Sequence, residues 1–185
     1  MKKSKSRQRK YASAAQLTVT LPSLVHSGRD HDFGEMIALL YATLGRLQTM
    51  RRHLANALDL NASEFAVVIT LLRTAKEGGL RVRSIADELH VAAANVTATV
   101  AKLERSGWVA KKPDPKDNRA ISIQLTRHAR SKMQLFASGL HSVNDAWFRD
   151  TTDQEFRAVV TFCKHLIQRY PAAVGLARGL RSRLK

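Results

Sequence analysis

A chain of 185 residues with 44% hydrophobic side chains is long enough to bury a core, and only 9 Gly and 4 Pro favour helices over a turn-rich all-β fold. Its formal net charge of +16 suggests a polyanionic partner: nucleic acid, an anionic membrane surface or a phosphorylated ligand. A single cysteine, Cys163, excludes an intramolecular disulfide framework, and no apolar run approaches the roughly 20 residues of a membrane span.

The charge is unevenly placed. Residues 1–10 carry the six cations Lys2, Lys3, Lys5, Arg7, Arg9 and Lys10, and residues 178–185 carry the four cations Arg178, Arg181, Arg183 and Lys185, which leaves +6 for residues 11–177. The ends are solvated tails or add phosphate contacts. Residues 1–30 read as a basic, flexible arm with a short apolar patch, Leu17 to Val25, broken by Pro22. The basic start resembles a signal-peptide n-region, but Gln16, Thr18 and Thr20 interrupt the apolar stretch such a peptide needs next, so a cytoplasmic protein is expected.

A helical pattern runs from about Gly34 to Leu58, with Ile37, Leu40, Leu44, Leu47, Leu54 and Leu58 at steps of three, four and seven. Asn61 with Glu64 three residues on caps a second helix that carries Phe65, Val68, Ile69 and Leu72 and stops at Gly78-Gly79. Residues 80–83 form a short extended piece. Ser84 with Asp87 opens a compact third helix to Leu89, and a tight turn at His90-Val91 leads into a fourth, about Ala93 to Ser106, closed by Gly107. Residues 108–112 and 121–125 alternate as two strands around the polar loop Pro113 to Ala120. Thr126 starts a long helix to about Arg149, and Thr152 with Glu155 caps a last one running to about Arg169, before Pro171. Val159, Phe162 and Leu166 around Cys163 predict a buried core thiol. The fold class is mainly α with a small β-hairpin: a winged helix-turn-helix with long terminal helices.

In the fourth helix Val96, Val100 and Leu103 fall on one side and face the core. Ala94, Ala98, Ala101 and Arg105 lie opposite, flanked by Asn95, Thr97 and Lys102. Small outer side chains permit close approach to base edges, where an alanine methyl meets a thymine methyl and Asn95 pairs with adenine. Thr97 and Lys102 suit phosphates better. An ordinary surface helix, with small residues chosen for helix propensity, is the other reading. The loop Lys111-Lys112-Pro113-Asp114-Pro115-Lys116-Asp117-Asn118-Arg119 puts four cations on a hairpin made tight by Pro and Asp. Arg119 fits a narrow A/T-rich minor groove, Lys116 adds charge beside it, and Asp117 is placed to hold Arg119 by a bidentate contact. A solvated β-turn is the alternative.

Together, Ile85-Ala86-Asp87-Glu88-Leu89, Val96-Thr97-Ala98-Thr99-Val100, Leu103-Glu104-Arg105-Ser106-Gly107-Trp108-Val109 and Asp114-Pro115-Lys116-Asp117-Asn118-Arg119 resemble the MarR family (multiple antibiotic resistance regulators) over about residues 34–170. The resemblance implies an obligate homodimer on a pseudo-palindromic operator, with the recognition helix in the major groove and the wing Arg in the minor groove. It implies a repressor released by a small ligand, often an aromatic acid or phenol, and makes Thr97 and Arg119 the foremost DNA contacts. On that reading residues 31–60 and 126–170 form the helical dimerisation region, 61–125 the DNA-binding region, and 171–185 a basic C-terminal tail. Ala93, Ala94 and Ala98 depart from the serines and basic residue frequent in the family, and Asn118 replaces the first Arg of its common Arg-Arg pair. Base readout therefore leans on van der Waals contact and DNA shape.

Large apolar residues spread widely over the last two helices, among them Leu135, Phe136, Trp147, Phe156, Val159, Leu166 and Ile167, which suits faces that meet both a core and a partner copy. A larger monomeric core is the alternative. Tyr41, Arg46 and His53 lie outside the apolar stripe of the first helix and either line a pocket for an anionic ligand or are ordinary surface residues. The basic folded part would tolerate a polyanionic effector such as an acyl-CoA thioester. The histidines show no tight metal spacing, and neither a metal nor another cofactor is expected. No phosphate-cradling Gly loop, nucleophile elbow or acid/base pair points to an enzyme. The reading is thus a double-stranded-DNA-binding regulator, with a non-specific architectural DNA-binding protein as the alternative.

Overall fold

The computed structural model describes residues 17–74, 78–114 and 117–183. A 3-10 turn, Pro22–Leu24, precedes α1 (His31–Asn56), α2 (Ala62–Arg73), α3 (Val82–Leu89) and α4 (Ala93–Arg105). Strands β1 (Val109–Asp114) and β2 (Asp117–Leu125) come next, then α5 (Arg127–Trp147) and α6 (Asp153–Arg183). The mainly helical winged arrangement is the one expected. The chain divides into two compact units, one up to Met133 and one from Gln134 onward.

In the first unit, α2 begins where the sequence indicated. The Asn61 side chain accepts from the Ser63 and Glu64 N–H groups at 2.9 Å, and the Asn61 N–H donates back to Glu64 Oε2 at 2.8 Å. These bonds satisfy donors that a helix start otherwise leaves unpaired. Phe65, Val67, Val68 and Leu71 of α2 are buried, as are Ile85 and Ala86 of α3 and Val96, Val100 and Leu103 of α4. The hairpin closes this core with Trp108, Val109, Ile123 and Leu125, and the first turns of α5 add Ala129 and Met133. Strands β1 and β2 pair antiparallel from Val109 opposite Leu125 to Pro113 opposite Ile121, with an irregularity after Pro113.

Several expectations change. The hairpin is longer than expected: β1 runs to Asp114 and β2 begins at Asp117, so most of the loop read over Pro113 to Ala120 is strand. Helix α3 starts at Val82 with Arg81 at its N-cap, so Ser84 lies inside the helix and does not open it. The extended piece at 80–83 shrinks to Leu80, which bridges Ile123 in β2: the Leu80 N–H donates to the Ile123 carbonyl at 3.0 Å and the Ile123 N–H returns to Leu80 at 2.8 Å. Helix α6 does not end near Arg169 but continues through Pro171 to Arg183. Proline removes one helical N–H, yet the helix formers Ala172, Ala173, Leu176, Ala177 and Leu180 beyond it keep the segment helical.

In the second unit, Thr152 and Glu155 form the cap read from the sequence. The Thr152 N–H and hydroxyl donate to Glu155 Oε2 at 2.8 and 2.6 Å, and the Glu155 N–H donates to Thr152 Oγ1 at 3.2 Å. The Thr152 hydroxyl, then its N–H, hold the Glu155 carboxyl below its ordinary range. Among the described residues of this unit none is buried. Cys163, expected in a core, is exposed, as are its neighbours Val159 and Leu166. The core signal there was apolar content without anything in the same unit to cover it.

Gly79 makes the Leu80 bridge possible. Its φ is +77°, and a Cβ at that position would stand 2.3 Å from the Ile123 carbonyl oxygen. Gly79→Ala therefore combines a left-handed backbone with a backbone collision. We expect it to destabilise the protein by about 1–3 kcal/mol, read as a lower urea midpoint; an unchanged midpoint would show that this bridge is dispensable.

Candidate nucleic-acid interface

Helix α3 ends in a turn that aims α4. His90 is left-handed at φ +53°, and the Val91 N–H returns to the Ala86 carbonyl at 3.1 Å. Helix α4 then starts at Ala93, behind Ala92 at the N-cap, which offers no side-chain cap, in contrast to α2. At its other end the Trp108 N–H donates to the Leu103 carbonyl at 2.8 Å and the Gly107 N–H to Glu104 at 3.1 Å. With Gly107 at φ +75° this is a Schellman closure, and it sends the chain straight into β1.

The structure exposes Ala94, Asn95, Thr97, Ala98, Lys102 and Arg105 along α4 and leaves Ala101 half-buried. The Thr97 hydroxyl donates its one proton to the Ala93 carbonyl at 3.0 Å, and Thr99 does the same to Asn95 at 2.8 Å. A phosphate oxygen only accepts, so Thr97 must give up this bond to contact one. Lys111 at the root of the wing pairs with Glu104 of α4 at 2.7 Å. A cleft of about 210 Å³ runs beside α4, lined by Arg51, Ser63, Leu89, Val91, Asn95 and Thr99 among others.

The wing differs from expectation in how it is held. Asp117 does not clamp the Arg119 guanidinium. Its Oδ1 accepts from the Arg119 backbone N–H at 3.1 Å, a short-range turn that a carboxylate two residues away makes more easily than a bidentate side-chain pair. Its Oδ2 faces Arg81 Nη2 at 3.3 Å, while Arg81 Nε donates to Asp114 Oδ2 at 2.7 Å. Asp114, Asp117 and the backbone bridge thus converge on the segment 79–81. The Asp114 carboxylate raises the Arg81 guanidinium above its ordinary value. Arg119 is exposed, and Lys116 lies outside the described residues.

Arg81 was missed by the sequence reading. The available signal was its position just before α3, where Ser, Thr, Asp or Asn is the usual cap and a cation opposes the helix dipole. Tyr41, Arg46 and His53 are exposed on α1. Arg46 and His53 share a face, Tyr41 lies about 140° away at 100° per residue, and Arg46 donates to the Ala42 carbonyl at 3.0 Å. None of the three lines the cleft beside α4. No group of His, Cys, Asp and Glu among the described residues is arranged to hold a metal ion. No described helix is long and apolar enough to cross a membrane.

A short helix bracing a second one, followed by an antiparallel hairpin at its exit, defines a winged helix-turn-helix DNA-binding domain. Residues 60–121 match the family model described as MarR family. The chain is similar to the transcriptional repressor YetL of Bacillus subtilis, 25% identical over 73% of this chain and 80% of that protein. It spans between 41% and 56% of the length of four further curated relatives. Its fold matches the MarR regulator of Oenococcus oeni (TM-score 0.64, 19% identity, 72% of this chain and 98% of that one). It also matches CouR of Rhodococcus jostii RHA1, solved with p-coumaroyl-CoA (TM-score 0.59, 19% identity, 71% and 88%). Proteins of this family are transcription regulators and not enzymes.

The His90 turn gives a local test. A non-glycine residue in the left-handed region carries a steric cost that glycine avoids, less glycine's own entropy loss. His90→Gly should therefore stabilise the protein by about 0.5–1 kcal/mol in chemical denaturation. Destabilisation would mean that the imidazole contributes packing that outweighs the backbone.

Proposed function

We propose that the protein is a transcription regulator that binds a pseudo-palindromic operator as a homodimer, acts as a repressor in the cytoplasm, and is released by a small anionic effector. The observation that carries this reading is the exposed, alanine-rich outer face of α4 beside a wing that presents Arg119. Ala94, Ala98 and Asn95 meet base edges in the major groove, Lys102 and Arg105 take phosphates, and Arg119 with Lys116 enters the flanking minor groove. The uncapped first turn of α4 leaves N–H groups suited to a phosphate oxygen.

Dimerisation is supported by a bare apolar seam. Phe156, Val159, Cys163, Leu166 and Tyr170 recur at steps of three and four along α6, all exposed, and Leu180 continues the repeat. A repeat of this period is what a paired helix presents to its partner. Leu40, Leu44 and Leu47 on α1 are exposed in the same rhythm. Two copies are also what a two-fold operator demands. CouR's bound thioester supports an aromatic acid or its CoA ester as effector. The cleft beside α4 offers Arg51 to such an anion; Tyr41, Arg46 and His53, exposed on α1 outside that cleft, are further proposed ligand contacts.

Genome-wide footprinting with the full-length protein should yield protected palindromes; protection that ignores sequence and falls steeply with salt would favour an architectural role instead. Arg119→Ala should weaken operator binding by about 1–3 kcal/mol and relax the A/T preference under the wing. Unchanged affinity and preference would overturn the wing assignment. Leu166→Glu puts a charge into the α6 seam. It should shift the protein to monomers in sedimentation velocity and abolish operator binding; a dimer as tight as wild type would exclude α6 as its interface.

A further inference from the structure

We infer that Arg81 is the positioning residue of the wing: its guanidinium forks between Asp114 and Asp117 and fixes the angle at which Arg119 is presented to DNA. This rests on the reading that Arg119 contacts DNA. Arg81 Nε bonds Asp114 Oδ2 at 2.7 Å on the outgoing strand, and Nη2 faces Asp117 Oδ2 at 3.3 Å on the returning one. The two carboxylates flank the wing tip, and Asp117 also accepts from the Arg119 backbone N–H. One side chain on the helix-turn-helix therefore spans both strands of the hairpin immediately before its DNA-facing arginine.

Two further observations point the same way. Arg81 stands at the N-cap of α3 without capping it, and Arg83 adds a second cation to that first turn, which contains no acid. Both choices oppose the helix dipole. A residue placed against local preference marks a constraint from elsewhere in the fold, and here that constraint is the wing. The second observation is the backbone beside it. Leu80 is already hydrogen-bonded to Ile123, which anchors the root of β2, whereas the tip beyond Pro113 departs from regular pairing. The bridge holds the root and Arg81 holds the tip. The Arg81–Asp117 pair is exposed on both sides and adds little to stability, whereas the Asp114 side chain is only 14% exposed and keeps its charge at less cost beside Arg81. A planar fork that reaches two fixed carboxylates is also a task lysine cannot perform.

The test compares Arg81→Met, Arg81→Lys, Arg119→Ala and the triple variant Arg81→Met/Asp114→Asn/Asp117→Asn in the full-length protein. The DNA is a duplex selected from random sequence by the wild-type protein. Arg81→Met should lower the Tm modestly, because Asp114 loses its partner, but keep the major-groove protection, lose minor-groove protection under the wing, and bind about tenfold more weakly, the scale of one base-reading contact. Arg81→Lys should not restore the A/T preference. Neither should the triple variant, which removes the exposed negative charge but not the loss of the fork. In the free protein, backbone 15N order parameters of residues 117–120 should fall in Arg81→Met. Wild-type order parameters in that variant would overturn the inference whatever the DNA result. So would full recovery by the triple variant, which would reduce Arg81 to a charge neutraliser. Wild-type binding by Arg119→Ala would instead sink the wing reading, and with it any role for Arg81 in DNA recognition.

Discussion

The pair of backbone hydrogen bonds between Leu80 and Ile123 is the constraint that joins two local motifs into one surface. A helix-turn-helix and a hairpin each form from their own sequence signals, but neither fixes the other. Ile123 has no exposure at all, so the strand that accepts the bridge is itself part of the core. Leu80 reaches it only because Gly79 lacks a Cβ where one would strike the Ile123 carbonyl. Helix α3 starts two residues after this bridge, and α4, packed on α2 and α3, buries Val96, Val100 and Leu103. Helix α4 and the wing therefore share one root.

Charge then decides how the free end of the wing behaves. Asp114 and Asp117 would repel a phosphate backbone if left bare, yet they stand beside Arg119. Arg81 meets both, so the wing tip carries its acids already engaged, and Arg119 and Lys112 remain exposed. On α4 the balance is different: Lys111 pairs with Glu104, while Lys102 and Arg105 have no ion pair among the described residues. The cations facing outward are thus a subset of those counted in the sequence, and the overall charge of +16 overstates them.

Much of this was legible in the sequence because the signals are local. The Asn61/Glu64 and Thr152/Glu155 caps, the Gly107 closure and the alternation around the hairpin depend on residues a few positions apart. Periodicity likewise placed Val96, Val100 and Leu103 in the core. The features that escaped were long-range. Arg81 meets partners more than thirty residues away, so no window of helical or strand length contains both ends. Asp117 was assigned to Arg119 because the two are neighbours, and the Arg119 backbone N–H took the place of its side chain. Pro171 was read as a stop by a rule that weighs proline alone, whereas the residues after it carry the helix onward. Cys163 was placed in a core because its neighbours are apolar; apolar content does not distinguish a core from a surface awaiting a partner.

That last distinction bears on how recognition would work. Every buried residue described lies between Ala55 and Met133, whereas α6 is 31 residues long and buries none of those described. Helices of globular proteins draw most of their stability from packing an apolar face, and the seam from Phe156 to Tyr170 is such a face left uncovered. If a second copy covers it, part of the ordering of the C-terminal region is linked to association, and protein concentration enters the apparent stability. The alanine face of α4 makes that linkage matter. It offers few polar groups for base readout, so on the proposed reading discrimination would lean on close fit and on DNA shape. A close fit tolerates little angular error, whether between α4 and the wing within one copy or between the two recognition helices of a pair. The first angle is set by Gly79, Leu80 and Arg81, and in the proposed dimer the second would fall to the terminal helices. On the proposed reading, in which DNA is met by methyl groups and one arginine, recognition depends on the stiffness of the scaffold more than it would with many hydrogen bonds.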